Sequence, residues 1–372
     1  MKPLLTAINP QYFYQILDWR HQAYDKVGGI AKIKGFDHYN HLVDINSLFS
    51  THPFGDPVDR TQTVKQPFAF AVPRPWQKPE KSSNLGEVLQ KIVVFYLSSQ
   101  KKINLCWSGG IDSTCMLTAF LKHTSYIDQL RVLYTPFSVY ENCDFFNYLN
   151  KNYPALEMHD ISGKVYLQDK FDGVMINGHG GDEFTASLDE SFFDSMGYEF
   201  LHKPWQSLIQ DHTLQEFCKQ YFALAQRPIE TVLEARWWFY SITKNNVHLP
   251  RDNIFDIDTP ANAFYDCQEF EDYMWYNTNE IITCDNYNSY KKFLKKYIYD
   301  FDKNDKFYQL ARKVSSPQFL FYTRKKTELL DRQWIAFLED NTIIRTANLP
   351  LFSQLEFEKT YGDSLEYLFQ HP

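Results

Sequence analysis

The sequence predicts an α/β fold: a parallel twisted sheet with helices on both faces, followed by a mainly helical C-terminal part. Three observations carry this expectation. Short apolar runs near 103–107, 130–134, 156–159 and 173–176 have strand length and alternate with segments of helical spacing. Two of those runs open directly into glycine-rich loops, at 108–113 and 177–184. From about residue 190 onward helical spacing dominates. The 372 residues divide on this reading into a short N-terminal region (1–80) with room for small strands, an α/β core (81–190) and a helical remainder (191–372).

Each element has its own signal. In the first region Phe68-Ala69-Phe70-Ala71-Val72 reads as a strand, and Pro73, Pro75 and Pro79 with Lys81-Ser82-Ser83 as a linker. Asn84 reads as a helix N-cap with Glu87 three residues on. Leu85, Val88, Leu89, Ile92, Val93 and Tyr96 then form one apolar face. After the strand Ile103–Trp107 and its loop, a helix from about Asp112 to Lys122 turns Met116, Leu117, Phe120 and Leu121 inward. Leu130–Tyr134 is the next strand, a helix rich in aromatics spans 141–150, and Leu156–His159 and Gly173–Ile176 are further strands. Later, Glu230–Tyr240 reads as a helix whose Trp237-Trp238-Phe239-Tyr240 cluster packs in a core. Ser289–Tyr299 reads as a helix with a solvated basic face of Lys291, Lys292, Lys295 and Lys296.

Composition narrows the classes. Hydrophobic residues at 44% and charged residues at 23% describe an ordinary globular chain. The 31 Phe, 25 Tyr and 8 Trp are more than a base-stacking surface needs and must largely pack inside. A net charge of −8 disfavours broad binding to nucleic acid or anionic lipid. Six cysteines without any Cys-x-x-Cys spacing suggest mostly buried thiols in a reducing compartment rather than a zinc site or disulfide framework. The start shows no extended apolar segment of the signal-peptide kind, and no run reaches the roughly 18 apolar residues of a membrane span. A cytoplasmic protein is expected.

Chemistry concentrates in the two loops. Ser108-Gly109-Gly110-Ile111-Asp112-Ser113 ends a strand and opens a helix. Its glycines let backbone N–H groups approach an anion, and the helix N-terminus adds partial positive charge there. Ser108 and Ser113 can donate to phosphate oxygens. Asp112 would repel a bare phosphate, so a cation, naturally Mg²⁺, is expected between them. The Walker pattern is absent. In Asn177-Gly178-His179-Gly180-Gly181-Asp182-Glu183-Phe184, Asp182 is the candidate second carboxylate for the same ion. Taken alone, either aspartate reads equally as a helix N-cap or first-turn acid.

These two loops carry a family resemblance. The first resembles the PP-loop of N-type ATP pyrophosphatases, and the second is similar to the corresponding motif of the asparagine-synthetase branch. The resemblance covers roughly residues 84–190 and implies an adenine nucleotide alpha hydrolase-like fold. It also implies a ligase that splits ATP into AMP and pyrophosphate, adenylating a substrate carboxylate for attack by ammonia or an amine. On that reading Ser108, Gly109, Gly110 and Ser113 bind pyrophosphate, with Gly180 and Gly181 also lining the nucleotide site. Asp112 and Asp182 hold Mg²⁺, main chain near Leu105–Trp107 and Leu133 meets adenine, and Gly178 lies beside the adenylate. Phe264-Tyr265-Asp266 is similar to a Pro-Phe-Leu-Asp stretch of the branch, which makes Lys291, or its neighbour Lys292, the expected catalytic lysine. Arg312-Lys313 resembles a later basic pair.

Two departures matter. Residue 2 is Lys and the first cysteine is Cys106, so the glutaminase nucleophile of full asparagine synthetases is missing. Nitrogen would then come from ammonia, an amine or a separate amidotransferase partner. His179 stands where the family tends to have glutamate, and it either acts as a general base or orders its loop. Two other readings stay open: a PP-loop enzyme modifying a nucleotide or tRNA, and a nucleotide-binding protein without catalysis.

Overall fold

The computed structural model describes residues 57–64, 75–79, 83–161, 171–188, 196–245, 262–311, 333–337 and 343–347, with the single residues 41, 45 and 193. The expected strand at 68–72 and the basic pair Arg312-Lys313 lie outside these residues. Compactness groups the chain differently from three consecutive regions. One unit takes residues 1–78, 200–254 and 331–349; the other takes 79–199, 255–330 and 350–372. Both glycine loops and the lysine-rich segment therefore belong to the second unit.

In that unit Leu85–Leu97 (α1) begins where Asn84 accepts the Glu87 N–H at 2.9 Å, the N-cap expected from sequence. Val88, Leu89, Ile92 and Val93 are its buried stripe. The strands Ile103–Cys106 (β1), Leu130–Tyr134 (β2), Glu157–Asp160 (β3), Val174–Asn177 (β4) and Asn262–Ala263 (β5) form one sheet in the order β3-β2-β1-β4-β5. Every pairing in it is parallel, so the fold is α/β.

This order positions the site. The chain starts at the centre, steps outward through β2 and β3, and returns to the other side of β1 for β4 and β5. Connections leaving β1 and β4 diverge, which opens a crevice at their carboxyl ends. Cys106 and Asn177 are register partners, so the two glycine loops leave the sheet level with each other.

The helix after β1, Ile111–His123 (α2), buries more than the expected face. Every residue from Ser113 to Leu121 is buried, as is Ile111. The aromatic helix expected over 141–150 is two helices, Pro136–Glu141 (α3) and Cys143–Asn152 (α4). Thr135 and Ser138 form a reciprocal cap that starts α3 early, with Pro136 in the first turn, where it costs no hydrogen bond. Asn142 ends α3 and caps α4 by accepting the Phe145 N–H. Further along come the four-residue turn Gly181–Phe184 (α5), then Gln268–Tyr276 (α6), Lys292–Asp302 (α7) and Asp305–Leu310 (α8). The contacts join α7 to α2, α6 to α1, and α1 to α2.

The lysine-bearing helix departs from expectation. Lys291 precedes α7 instead of lying within it, with a left-handed backbone of φ 53° and ψ 29°. A solvated face describes Lys292 and Lys296, but Lys291 and Lys295 are buried at 2% and 0% exposure. The Nζ of Lys295 donates to the carbonyls of Asn288 and Ala311. None of the six cysteines forms a disulfide. Only Cys115 and Cys218 are buried, fewer than composition suggested.

In the other unit Pro57–Asp59 pairs antiparallel with Thr243–Asn245. Buried Asp59 accepts from the N–H groups of Thr61, Thr63 and Val64 and from the Tyr221 hydroxyl. The helix Val232–Ile242 starts at a Thr231–Glu234 capping box, and Trp237, Trp238, Phe239 and Tyr240 are all buried, as their clustering predicted. Gln333–Phe337 and Ile343–Ala347 pair antiparallel. Among the described residues no helix is long and apolar enough to cross a membrane.

Candidate functional site

The loop after β1 is held by its own polar groups before any ligand is considered. The Trp107 indole donates to Thr114 Oγ1 at 3.0 Å, and that hydroxyl donates to the Gly109 carbonyl at 3.2 Å. The Ser113 hydroxyl accepts the Ser108 N–H at 3.1 Å and lies 2.9 Å from the Ser108 hydroxyl. Gly109 has φ +85°, and a Cβ there would sit 2.3 Å from the Ser138 carbonyl oxygen. Only glycine satisfies both conditions. Gly110 is the N-cap of α2 and leaves the cap without a side chain, so the first N–H groups of the helix face this loop.

The loop after β4 packs directly against the first. A Cβ on Gly178 would lie 2.8 Å from the Ser113 nitrogen, and one on Gly181 would lie 2.6 Å from Asp112 Cγ. Gly180 is left-handed at φ +89°, the turn that starts α5. His179 sits half-buried between them. Its N–H donates to Asn177 Oδ1 at 3.0 Å, and its carbonyl accepts the Tyr265 N–H at 3.3 Å. The Phe264-Tyr265-Asp266 stretch thus lies against this loop, and the Tyr265 hydroxyl donates to the Asp112 carbonyl at 2.9 Å.

The two aspartates meet at one nitrogen. Lys291 Nζ donates to Asp112 Oδ2 at 2.5 Å and to Asp182 Oδ1 at 2.6 Å. Burial by itself would depress the lysine's pKa. The charges of Asp112 and Asp182 outweigh it and hold the ammonium's pKa well above the usual lysine value. The Tyr290 ring lies under the same nitrogen at 5.3 Å from its centroid, within cation–π range. Lys291's left-handed backbone costs on the order of 1–3 kcal/mol in a non-glycine residue. It is secured by the Lys291 N–H to Ile281 carbonyl bond at 2.9 Å and by the Lys295 N–H donating to the Lys291 carbonyl. Strain of this kind persists where surrounding structure fixes a side chain's direction, here toward the two carboxylates.

A magnesium ion expected from the sequence was tested against this donor set. Two carboxylate oxygens within 2.6 Å of one point approach the spacing that an ion with bonds of about 2.0–2.1 Å requires. Among the described residues no group of three or more His, Cys, Asp or Glu converges. Two carboxylates are only part of a shell, and an ion held here would need phosphate oxygens and water for the rest, as Mg²⁺ commonly takes.

Leu133 is buried in the sheet, and its carbonyl accepts the Trp107 N–H at 2.9 Å. Its side chain belongs to the core. Lys292, the second lysine candidate, is exposed and points its ammonium at the Tyr308 ring. Lys291 alone of the pair reaches the aspartates.

Sequence reasoning missed Glu141. The last residue of α3, it packs its side chain against the first loop: a Cβ on Gly110 would lie 3.3 Å from Glu141 Oε1. That oxygen is buried and makes no hydrogen bond among the described residues. Burial, and then the negative charge of Asp112, push its pKa up to about 8. A carboxyl raised in this way repels an anion in the loop less than an ordinary glutamate would. Its position at the carboxyl end of β2, beside the point where strand order reverses, was the available signal.

No protein-family model matches the chain, and no curated protein matches it. Function is read from the geometry of this site.

Proposed function

We propose that the chain is an ATP-dependent, AMP- and pyrophosphate-forming amide ligase of the asparagine-synthetase type, with an adenine nucleotide alpha hydrolase-like core covered by helices on both faces. The observation that supports this most is the meeting of Asp112 and Asp182, each from its own glycine loop, at the strand-order reversal. Ligands of open parallel sheets bind at that point.

In the proposed reaction the oxygen of a substrate carboxylate attacks the α-phosphorus of ATP. The bond to the β-phosphate oxygen breaks, giving an acyl-adenylate and pyrophosphate. Ammonia or an amine then attacks the acyl carbon, AMP leaves, and the nitrogen loses a proton. The N–H groups opening α2 and the hydroxyls of Ser108 and Ser113 hold the departing pyrophosphate. Those hydroxyls are bonded to each other, so they are already oriented when phosphate oxygens replace one as the partner of the other. Asp112 and Asp182 would hold Mg²⁺, which would supply charge neutralisation for the phosphates. Lys291 adds the positive charge that the absent Walker lysine would otherwise provide. Gly178, Gly180 and Gly181 let the second loop close against Ser113, Asp266 and Asp112, which on this reading brings it alongside the adenylate, and main chain at Leu133 borders the adenine. On this reading His179 either accepts the amine's proton or orders its loop. The setting is the cytoplasm, and the nitrogen donor is ammonia, an amine or a partner enzyme's product.

Incubating the protein with ATP, Mg²⁺ and a metabolite extract tests this. Pyrophosphate and AMP should accumulate, with AMP-linked acyl species visible by mass spectrometry. ADP and phosphate as the products would reject the reading.

A further inference from the structure

We propose that Lys291 and the divalent cation compete for the same pair of carboxylates, so that metal binding expels the lysine ammonium from between Asp112 and Asp182 and turns it toward the phosphate loop. This rests on reading the two aspartates as metal ligands. The ammonium already occupies the point between them, 2.5 Å from one oxygen and 2.6 Å from the other. A magnesium ion bonded to those oxygens at about 2.0–2.1 Å would need nearly the same position. Both cations cannot share it, because like charges at contact distance repel strongly in a buried setting.

The local build suits an exchange confined to one side chain. Lys291's backbone is pinned on both sides, by the Ile281 carbonyl and by the Lys295 N–H. The backbones of the carboxylates are fixed as well: Asp112 stands in the first turn of α2 and lies against Gly181, and Asp182 lies in the four-residue α5. What remains able to move is the lysine's methylene chain. The neighbouring place that calls for positive charge is the phosphate loop at Ser108–Ser113, which has no lysine of its own. In this scheme the ligand-free protein keeps its phosphate-facing lysine parked, and the metal that arrives with the nucleotide releases it.

Mn²⁺ alone, titrated into the full chain and followed by its paramagnetic resonance signal, tests the competition. Lys291→Met removes the resident cation and should tighten Mn²⁺ binding by about tenfold or more relative to the unsubstituted protein. Equal affinity, weaker affinity, or no binding to either protein overturns the proposal. If Lys291→Met fails to fold, the unsubstituted protein decides. An amine-reactive reagent should modify Lys291 about tenfold faster once Mn²⁺ is added, read by peptide mass spectrometry; an unchanged rate overturns it. The two readings separate cleanly. Pyrophosphate release with unchanged Mn²⁺ affinity rejects the competition alone, whereas tighter Mn²⁺ binding without ATP cleavage rejects the ligase reading alone.

Discussion

Lys291 Nζ stands 2.5 Å from Asp112 Oδ2, although 179 positions separate the two residues in sequence. This pair, with Asp182, ties the helix start after β1, the turn after β4 and the residue before α7 into one electrostatic unit around a buried lysine.

Removing the cation leaves two carboxylates facing each other in a largely buried place. Lys291→Ala should therefore destabilise the fold by about 3–5 kcal/mol, the range seen when one partner of a buried pair is deleted. Urea unfolding followed by tryptophan fluorescence measures it. The exposed Lys296–Asp300 pair on α7 is the control, and Lys296→Ala should leave the midpoint unmoved.

Gly109 combines a left-handed backbone with a Cβ position 2.3 Å from the Ser138 oxygen. Gly109→Ala should lower stability by more than about 1 kcal/mol and displace α3 from the loop. Thermal unfolding, together with loss of nucleotide binding, reports both effects.

Glu141 supplies a pH dependence with a definite sign. Its folded pKa of about 8 lies above the ordinary glutamate value of 4.5. Between those values the unfolded chain has released the proton that the folded chain still holds. Stability associated with this group is therefore present below the lower value and is lost as pH rises through the higher one. Melting temperatures of the unsubstituted protein should carry this fall between about pH 5 and pH 8, and Glu141→Gln should remove it. ATP binding should weaken above about pH 8 in the unsubstituted protein and stay level in Glu141→Gln, since an ionised Glu141 repels phosphate.

Tyr265 joins the second unit's late segment to both loops, through its N–H to His179 and its hydroxyl to Asp112. Tyr265→Phe removes the hydroxyl's bonds, to the Asp112 carbonyl and to the Cys115 thiol, and keeps the ring. About 1 kcal/mol of stability should be lost, with a larger fractional loss of ATP turnover because Asp112 shifts. Comparing unfolding midpoints with turnover rates separates the two.

Local pattern made part of this legible beforehand. The loops at 108–113 and 177–184 stood out because glycines, a preceding apolar strand and a following helix are all neighbours in sequence. The core strands were readable for the same reason, to within a residue or two. The two-residue β5 was too short to leave a period. Lys291 was named, but its segment read as a solvated helix, since four lysines at helical spacing look alike until tertiary packing buries two of them. Tyr265 stood out only through the family resemblance of Phe264-Tyr265-Asp266, and Glu141 only by following the strand Leu130–Tyr134, because the crossing of distant segments is what brings their side chains to the loops.

The central claim is that the two glycine loops build a single magnesium–nucleotide site. Calorimetric titration with a non-cleavable ATP analogue carrying a methylene between the α- and β-phosphates tests it most directly. The account predicts Mg²⁺-dependent binding that Asp112→Asn and Asp182→Asn each abolish while both variants remain folded. Absence of binding to the unsubstituted protein, or binding indifferent to both substitutions, would contradict it.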